Sequence, residues 1–566
     1  MRRDEDSAPN FLSFHYFNLP GFQLYSSDMK RGWWISLTIM AVVLSLLLSA
    51  ANLFLGNLNQ DEGWYLYAAR LVSEGRVLYR DFMFTQGPAL PAVYGIFTPV
   101  IHLLGVAGGR LITALFGLAA AGCAAWLAAR AVSTRRHAAA LCAFILTGVN
   151  VYQSYFSTIV KTYALCAFFI TAGFAVLSYA AARRGIVAAF FSGILLALAA
   201  CTRLSAGILL PVAGIWLILN RRKIAAGSWA AFGSGGGLML LAGLGIFFLL
   251  APENTHFALF GYHAGRSPGG LMPLLALKAG FISRFVQAYF VFAGGVMLTF
   301  FFQNQSPRRR ELEKLGANQM PRVTDMIKQA YQKETPFTHS FISLLWISGA
   351  AVTLVHFAAP FPYDDYQVII FPLLAAALAA TLLPFCPEKY LLRTLALLLL
   401  VNAAAACSSP VNQEWLVSGR DRIWWKFKET PDLITLRRAG NQLREKLAGT
   451  QLLLTQDIYL AVETGATVPH GMEMGPFCYY PELPRRRAEK LNLLNTEMLI
   501  EILLEAAAPV AAFSGYGLSI ASPEIAELPP EIRRTLQVAL EVNYDTVEEI
   551  ENFGQAHTTL KIYERK

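Results

Sequence analysis

The chain has 566 residues, of which 55% are hydrophobic and only 15% are charged, and its mean hydropathy is +0.43. This composition excludes an ordinary soluble globule and indicates a polytopic α-helical membrane protein. The formal net charge of +9 does not indicate nucleic-acid binding, because the basic residues cluster in short loops between apolar runs. The seven cysteines show neither a disulfide framework nor metal-ligand spacing.

Apolar runs of near bilayer length predict about eleven membrane-spanning helices. They begin near Trp33, Leu111, Ala138, Thr162, Ile186, Leu204, Trp229, Phe281, Ser340, Gln367 and Leu391. The stretch 89–106 is ambiguous. An interfacial or re-entrant helix there places the arginine-rich loops in the cytoplasm, as the positive-inside rule favours. Those loops contain Arg135, Arg136, Arg183, Arg184, Arg221, Arg222, Arg308, Arg309 and Arg310.

Hydropathy divides the chain into three parts. We expect a cytoplasmic tail over 1–32, a transmembrane domain over 33–407 with its first outer loop at 56–110, and an outward-facing domain over 408–566. In the last part, 431–447 has the periodicity of an amphipathic helix, and 452–455, 510–513 and 558–563 read as strands. The sequence therefore predicts a multi-pass protein of the inner (plasma) membrane with outer juxtamembrane helices and a periplasmic or extracytoplasmic α/β domain.

The first outer loop, after the apolar run 33–55, reads DEGWYLYAARLVSEGRVLYRDFMFTQGP over 61–88. The adjacent carboxylates of Asp61 and Glu62 stand at the end of a membrane helix, where ionisable groups are costly and commonly functional. The aromatic segment behind them suits the bilayer interface. The loop suggests a catalytic carboxylate placed where a lipid head group meets water. The alternative is that the pair begins a juxtamembrane helix, since acidic residues favour helix N-termini.

The acidic pair, the YRD of 79–81 and the following Gly87 and Pro88 resemble the first outer loop of GT-C glycosyltransferases. The branch most similar contains protein O-mannosyltransferases and lipid A aminoarabinose transferases. Two further stretches resemble this branch, PFPYDDYQVIIFP at 360–372 and TQDIYLAVETGATVPHGMEMGPF at 455–477. The resemblance implies a glycosyltransferase that moves a sugar from a polyprenyl-phosphate donor to a glycan, lipid or protein acceptor at the outer face.

The resemblance also implies roles for individual residues. Asp61 would be the general base that deprotonates the acceptor hydroxyl. Glu62 would support Asp61 or help it to hold a divalent metal ion, Mg²⁺ or Mn²⁺. Contacts with the sugar or the lipid head group would come from Tyr65, Tyr79, Asp81, Gln86, Tyr363 and Tyr366.

Two departures from the family pattern bear on the donor site. Gln86 stands in the segment where aminoarabinose transferases carry a lysine before the proline. The next outer loop, YQSYFSTIVKTYA, has Lys161 and no carboxylate, which weakens the case for a two-carboxylate metal site. Lys161 then supplies a phosphate-binding cation directly, or it is a lysine that extends from a helix end to the interface.

Other outer loops supply further candidates for the donor phosphate. His263 and Arg266 lie on the glycine-containing loop 260–270, and Arg203 lies between two short spans. Each suits phosphate binding, and each also suits an ordinary polar loop or a helix cap. Asp364 and Asp365 either bind sugar hydroxyls or lie in solvent, and the solvated position is the favoured interpretation. The WWK at 424–426 indicates an interfacial anchor.

Two other functions are compatible with the sequence. A flippase or transporter of lipid-linked sugars would need charged residues along a path through the spans, whereas this chain concentrates them at the outer loops. A non-catalytic scaffold for envelope assembly would leave Asp61 replaceable.

Overall fold

The structure is a computed structural model that describes residues 20–180, 185–266, 269–304, 336–407, 430–447, 449–555 and 558–566. Arg183, Arg184, Arg308, Arg309, Arg310 and the anchor predicted at 424–426 lie outside the described residues.

Most of the described chain up to Cys407 is helical. The helices are α1 (Pro20–Leu55), α2 (Gln60–Ser73), α3 (Ala89–Gly95), α4 (Thr98–Leu104), α5 (Val106–Arg130), α6 (Arg136–Gly148), α7 (Val151–Phe156), α8 (Thr162–Leu177), α9 (Gly185–Thr202), α10 (Leu209–Leu219), α11 (Ser228–Leu240), α12 (Ile246–Leu250), α13 (Pro252–His256), α14 (Tyr262–Ala264), α15 (Leu271–Ala288), α16 (Phe290–Asn304), α17 (Pro336–Ala358), α18 (Phe371–Leu382) and α19 (Glu388–Cys407). Short 3-10 turns (Leu204–Ile208 and Asp364–Ile369) and π-helical turns (Leu241–Gly245 and Phe257–Gly261) join some of them.

Among the described residues, seven helical segments are long and apolar enough to cross a bilayer, and five shorter apolar helices accompany them. Large apolar side chains such as Leu219, Leu249 and Met297 are exposed on these helices, as a lipid-facing surface requires. The polytopic helical class predicted from the sequence is confirmed.

Two details of the predicted spans differ in the structure. The single span expected from Phe281 is divided at Tyr289 between α15 and α16. The ambiguous stretch 89–106 forms two helices of seven residues each, α3 and α4, joined around Phe97. Seven helical residues span only about 10 Å, so neither helix can cross a bilayer.

Small residues allow close helix packing in the bundle. A Cβ added to Gly193 of α9 would lie 2.2 Å from the carbonyl oxygen of Phe232 on α11. A Cβ on Gly235 of α11 would lie 2.2 Å from the carbonyl oxygen of Phe190. Glycine at both positions lets the two backbones approach directly, a common device where lipid offers no hydrophobic driving force for helix association.

The tail from residue 430 onward is an α/β domain. Its helices are α20 (Asp432–Lys446), α21 (Ile458–Thr464), α22 (Arg485–Lys490), α23 (Thr496–Glu505) and α24 (Pro530–Asn543). Its strands are β1 (Leu453–Leu454), β2 (Val510–Phe513), β3 (Ile520–Ala521), β4 (Ala526–Glu527), β5 (Tyr544–Phe553) and β6 (Thr558–Arg565).

The described strands form two sheets. The larger has the order β1-β2-β6-β5, in which β1 and β2 are parallel and the other pairs antiparallel. Strands β3 and β4 form a separate antiparallel hairpin. The predicted α/β tail is confirmed, whereas β3, β4 and β5 escaped sequence analysis. Strand β5 reads YDTVEEIENF, and its acidic residues hide the apolar alternation that marks a strand.

The tail packs directly on the first outer loop. A carboxylate oxygen of Asp432 accepts a hydrogen bond from the backbone N–H of Leu58, at 2.8 Å. Glu463 similarly accepts from the N–H of Val106, the first residue of α5. A Cβ on Gly63 would lie 2.2 Å from the backbone nitrogen of Tyr459, so α2 touches the tail backbone. These contacts place the start of α2 between the helical bundle and the tail.

Candidate active site

A cavity of about 490 Å³ lies where the helical bundle, the loops that join its helices and the tail meet. Its wall on the bundle side contains Asn59, Gln60, Asp61, Trp64, Tyr65, Thr85, Gln86, Tyr152, Phe156, Lys161, Tyr163, Arg203, Tyr262, His263, Arg266, Arg284, Phe361, Tyr363, Asp364, Asp365 and Tyr366. Its wall on the tail side contains Met474, Pro476, Phe477, Tyr516, Ile520, Glu524, Ile525 and Gln555. Polar groups from distant parts of the chain therefore converge on one space.

Asp61 is held in the first turn of α2. Asn59 caps this helix, and its side-chain oxygen accepts a hydrogen bond from the N–H of Asp61. The indole N–H of Trp64 donates to Oδ1 of Asp61 at 3.2 Å. The Asp61 side chain keeps 28% of its surface exposed towards the cavity mouth. An oriented and accessible carboxylate of this kind can accept a proton from a bound hydroxyl.

Lys161 brings a cation to this carboxylate. It precedes α8, and its Nζ lies 3.4 Å from Oδ2 of Asp61 and 3.5 Å from Oδ2 of Asp365. Its side chain is only 6% exposed. Lys161 is therefore not a lysine reaching to the interface from a helix end, because its ammonium group lies inside the cavity between two carboxylates.

Asp364 and Asp365 are not solvated loop residues, which corrects the favoured interpretation of the sequence. Asp365 also accepts a hydrogen bond from the hydroxyl of Tyr163, at 2.8 Å. Asp364 accepts from Nε of Arg284 at 2.7 Å and from the hydroxyl of Tyr152. The 3-10 turn that begins at Asp364 directs both carboxylates inward, where cations and phenols compensate for their burial.

Arg203 and Arg266 add two guanidinium groups held over aromatic rings. The guanidinium of Arg203 lies 4.0 Å from the ring centroid of Tyr366, and one of its nitrogens donates to Thr162. Arg266 donates to the hydroxyl of Tyr363 at 3.0 Å. Stacking on aromatic faces orients a guanidinium group and leaves its edge available for an anion. Both predicted phosphate-binding arginines therefore line the cavity.

His263 stands between these arginines and the first outer loop. Its Nε2 lies 3.0 Å from the carbonyl oxygen of Thr85, so this nitrogen carries the proton and donates. Burial lowers the pKa of His263, and the charges of Arg203 and Arg266 act in the same direction against the hydrogen bond to Thr85. The lowered pKa favours the neutral imidazole, so His263 serves the cavity as a hydrogen-bonding group.

Tyr65 and Gln86 line the cavity as expected, whereas two other predicted contacts do not. The hydroxyl of Tyr79 donates to the carbonyl oxygen of Gln86, and its backbone has a positive φ of 66°. Asp81 pairs with Arg80 and accepts from the N–H of Val77. Tyr79 and Asp81 therefore shape the loop that presents Gln86, and head-group contact by either residue is not supported.

Glu62 faces away from Asp61, because neighbouring residues on a helix project about 100° apart. Both of its carboxylate oxygens bind Arg110, the closer contact being 2.6 Å, and both side chains are fully buried. Its oxygens also accept from the N–H groups of Asn59 and Val160. The acceptor positions of Glu62 are filled, so the expected metal site formed by Asp61 and Glu62 is not supported.

A smaller side chamber of about 190 Å³ adjoins the cavity behind Arg203, His263, Arg266 and Tyr366. Its remaining wall is mainly apolar and contains Leu204, Leu259, Val355, Ala359 and Pro360, with Ser205 and His356. His356 bonds Ser205 and Gln367, which tie the segment after Arg203 to the segment after Tyr366. The arginines thus stand between a polar cavity and an apolar chamber.

Sequence analysis missed Arg284, Tyr152 and the whole tail wall of the cavity. Arg284 did have a signal, because it lies three residues into the predicted span from Phe281, and an ionisable residue within a span is commonly functional. Met474, Pro476 and Phe477 lie in the stretch 455–477 that resembles the GT-C branch, but Tyr152 and the other tail residues had no signal, since their approach to the cavity depends on packing between distant segments.

Comparisons with known proteins identify the fold. Neither a protein-family model nor a curated protein sequence matches the chain. Solved structures do match. ArnT from Cupriavidus metallidurans in the apo state is similar at 14% identity with a TM-score of 0.56, over 94% of this chain and 98% of that chain. The same protein bound to undecaprenyl phosphate is similar at 12% identity with a TM-score of 0.53, over 94% of this chain and 98% of that chain.

An oligosaccharyltransferase from Archaeoglobus fulgidus, tethered to an acceptor peptide, is more distantly similar, at 12% identity and a TM-score of 0.45 over 92% of this chain and 73% of that chain. The likeness to ArnT, a lipid A aminoarabinose transferase, confirms that this chain has the GT-C fold.

Proposed function

We propose that this chain with the GT-C fold is an integral-membrane glycosyltransferase that uses a polyprenyl-phosphate sugar as donor. The observation that carries the proposal is the convergence of Lys161, Arg203 and Arg266 on the cavity that contains Asp61. A transferase with a lipid-phosphate leaving group needs a base for the acceptor and cations for the phosphate in one space.

The donor fits the two adjoining spaces. Its phosphate would bind Arg203 and Arg266, which stand where the polar cavity meets the apolar side chamber. Guanidinium groups suit phosphate oxygens because their N–H groups match two oxygens at once. The apolar chamber would receive the first isoprene units, and the sugar would then project towards Asp61. The structure of ArnT bound to undecaprenyl phosphate supports this type of donor.

The chemistry follows from these positions. Asp61 would take the proton from the acceptor hydroxyl as its oxygen attacks the anomeric carbon of the donor sugar. The bond between that carbon and the phosphate oxygen breaks, and its electron pair leaves with the lipid phosphate. Lys161, Arg203 and Arg266 would stabilise the charge that grows on this leaving group. Tyr65, Gln86, Tyr363 and Tyr366 line the space that the sugar would occupy.

The residues present do not favour a divalent metal ion in this site. The described residues contain no cluster of three or more histidine, cysteine or acidic side chains suited to a metal. The space between Asp61 and Asp365 is taken by the ammonium group of Lys161. The ammonium group of Lys161 would repel a metal ion that bridges these carboxylates. We therefore propose that side chains of the protein supply the positive charges that bind the phosphate.

The proposed function requires the cavity to face the outer side. We propose that 1–32 are cytoplasmic, that 33–407 form the catalytic membrane domain, and that 408–566 form a periplasmic or extracytoplasmic domain of an inner-membrane protein. Single cysteines at the exposed positions 534 and 221 in a cysteine-free variant test this. A membrane-impermeant maleimide should label position 534 but not 221 in intact cells, and the reverse pattern would contradict the topology.

Two measurements on the purified full-length protein test the function. Undecaprenyl phosphate should bind with an affinity that depends on Arg203 and Arg266. Membrane vesicles containing labelled lipid-linked sugars should yield product only with an intact Asp61. A flippase would instead move the labelled lipid across liposomes independently of Asp61, and a scaffold would bind no donor.

A further inference from the structure

The two walls of the cavity carry different charges. The bundle side contributes Lys161, Arg203, Arg266 and Arg284, together with the carboxylates that pair with some of them. Within the described residues of the tail, Glu524 is the one charged residue that lines the cavity, and no tail cation does. The cations of the bundle side therefore attract a phosphate group, whereas the carboxylate of the tail side repels it.

The tail wall reaches the residues on both sides of Asp61. The side-chain oxygen of Gln555 accepts a hydrogen bond from the N–H of Gln60, at 2.8 Å. The ring of Phe477 meets the ring of Trp64 edge to face at 6.2 Å. Lys161 engages Oδ2 of Asp61, whereas Oδ1 accepts from Trp64, the residue whose ring meets Phe477, so a hydroxyl that approaches Oδ1 comes beside the tail wall.

The side chains of this wall suit an uncharged sugar. Tyr516 and Phe477 offer apolar ring faces, which can cover the C–H face of a sugar ring. Gln555 carries an amide that both donates and accepts hydrogen bonds, as sugar hydroxyls do. The carboxylate of Glu524 accepts from hydroxyls but repels a phosphate or a carboxylate, which discriminates against an anionic acceptor.

We infer that the tail wall is the acceptor subsite and that the acceptor is a hydroxyl group of an uncharged saccharide. This inference rests on the proposed glycosyl transfer. The acceptor O–H gives its proton to Asp61, its oxygen bonds to the anomeric carbon, and the lipid phosphate leaves with the electron pair of the broken bond.

The acceptor class is tested with the purified full-length protein and labelled lipid-linked sugars extracted from the cells that make it. Envelope material is separated into three fractions. The first contains glycans and glycolipids that pass an anion exchanger, the second contains glycans and glycolipids that the exchanger retains, and the third contains proteins. We expect label in the unretained fraction, in a product that resists protease and whose acceptor is destroyed by periodate. Label in the retained fraction, or in a product degraded by protease, would overturn the acceptor assignment.

Variants of the tail wall locate the subsite. Tyr516→Ala and Gln555→Ala should raise the acceptor KM at least tenfold, while the Kd for undecaprenyl phosphate stays within twofold. Thr535→Ala, on an exposed face of α24 outside the cavity, is the matched control. The exposed Glu524→Lys variant, which cannot disturb a core, should transfer measurable label to the anion-retained fraction. Unchanged acceptor KM in all three wall variants would contradict the subsite.

The donor measurement separates this inference from the proposed function. If the tail-wall variants leave the acceptor KM unchanged while donor binding and transfer are intact, the acceptor subsite alone is contradicted. Absence of undecaprenyl phosphate binding, or transfer to none of the three fractions, contradicts the glycosyltransferase proposal and the acceptor assignment with it.

Discussion

The ammonium nitrogen of Lys161 lies 3.4 Å from a carboxylate oxygen of Asp61, although 100 positions separate the two residues in the chain. This contact places a positive charge beside the proposed base. Asp365 holds the same ammonium from its other side, at 3.5 Å. The arrangement puts the base and one cation within a few ångströms of each other, as a reaction that deprotonates one group and releases a phosphate requires.

Asp61→Asn keeps the shape of the side chain and removes its ability to accept a proton. We expect transfer to fall by a factor of about 10² to 10⁴, the usual contribution of a general base. Binding of undecaprenyl phosphate should remain, since its phosphate would bind the guanidinium groups of Arg203 and Arg266, which a change at Asp61 leaves in place. Initial rates with saturating donor, together with equilibrium binding, measure both effects. Near-normal turnover would remove Asp61 from the mechanism.

Alanine at Lys161, Arg203 or Arg266 should weaken the binding of undecaprenyl phosphate. Each loss should be about 1.5–3 kcal/mol, the range for hydrogen bonds to charged groups. Arg486→Ala, an exposed tail arginine outside the cavity, should leave the affinity unchanged and controls for total charge. If all three cavity variants bind the lipid as the wild type does, the phosphate site lies elsewhere.

The buried pair of Arg110 and Glu62 should matter for stability rather than for chemistry. Removing one partner leaves an uncompensated buried charge, so Arg110→Met should lower the free energy of unfolding by about 3–5 kcal/mol. The double variant Arg110→Met with Glu62→Gln should recover part of that loss. Thermal unfolding in detergent measures this, and equal Tm values for the single and the double variant would contradict it.

Gly63→Ala should disturb the contact between α2 and the tail. The added Cβ would lie 2.2 Å from the backbone nitrogen of Tyr459, and overpacking of this kind typically costs about 1–3 kcal/mol. Gly122→Ala is the matched control, because nothing lies within 4 Å of a Cβ there. Tm should fall for the first variant and not for the second. Equal Tm values would contradict the prediction and would mean that the tail backbone shifts to accommodate the added methyl group.

The stability of the protein should decline on acidification partly through His263. Burial lowers the pKa of His263 below its ordinary value of about 6.5. Below that pH the unfolded chain binds a proton that the folded chain resists, so stability is lost as the pH falls from about 6.5 through the folded pKa.

His263→Gln keeps a donor for the carbonyl oxygen of Thr85 but cannot titrate. Between pH 7.5 and 5, Tm should therefore fall more steeply for the wild type than for this variant. Parallel curves would show that His263 titrates normally in the folded protein.

The sequence by itself determined the class of the protein and the position of its candidate base. Long apolar runs predict membrane helices because the bilayer core offers the backbone N–H and C=O groups no hydrogen-bond partners. These groups must then bond to one another within the same run. Asp61 was found for a similar reason, since the acidic pair after the first apolar run and the aromatic segment behind it are both local features. Helix α20 and strands β1, β2 and β6 of the tail also follow from local periodicity.

Only the tertiary structure decided which groups meet. Adjacent helical residues diverge, so Asp61 points into the cavity while Glu62 points to Arg110, and no count of neighbouring carboxylates reveals this. The sequence favoured a solvated position for Asp365, whereas the fold places this carboxylate against the ammonium group of Lys161. The tail wall depends equally on the docking of one domain on another. Contacts between distant segments follow from the packing of whole elements, and the periodicity of a single segment carries no information about its partner.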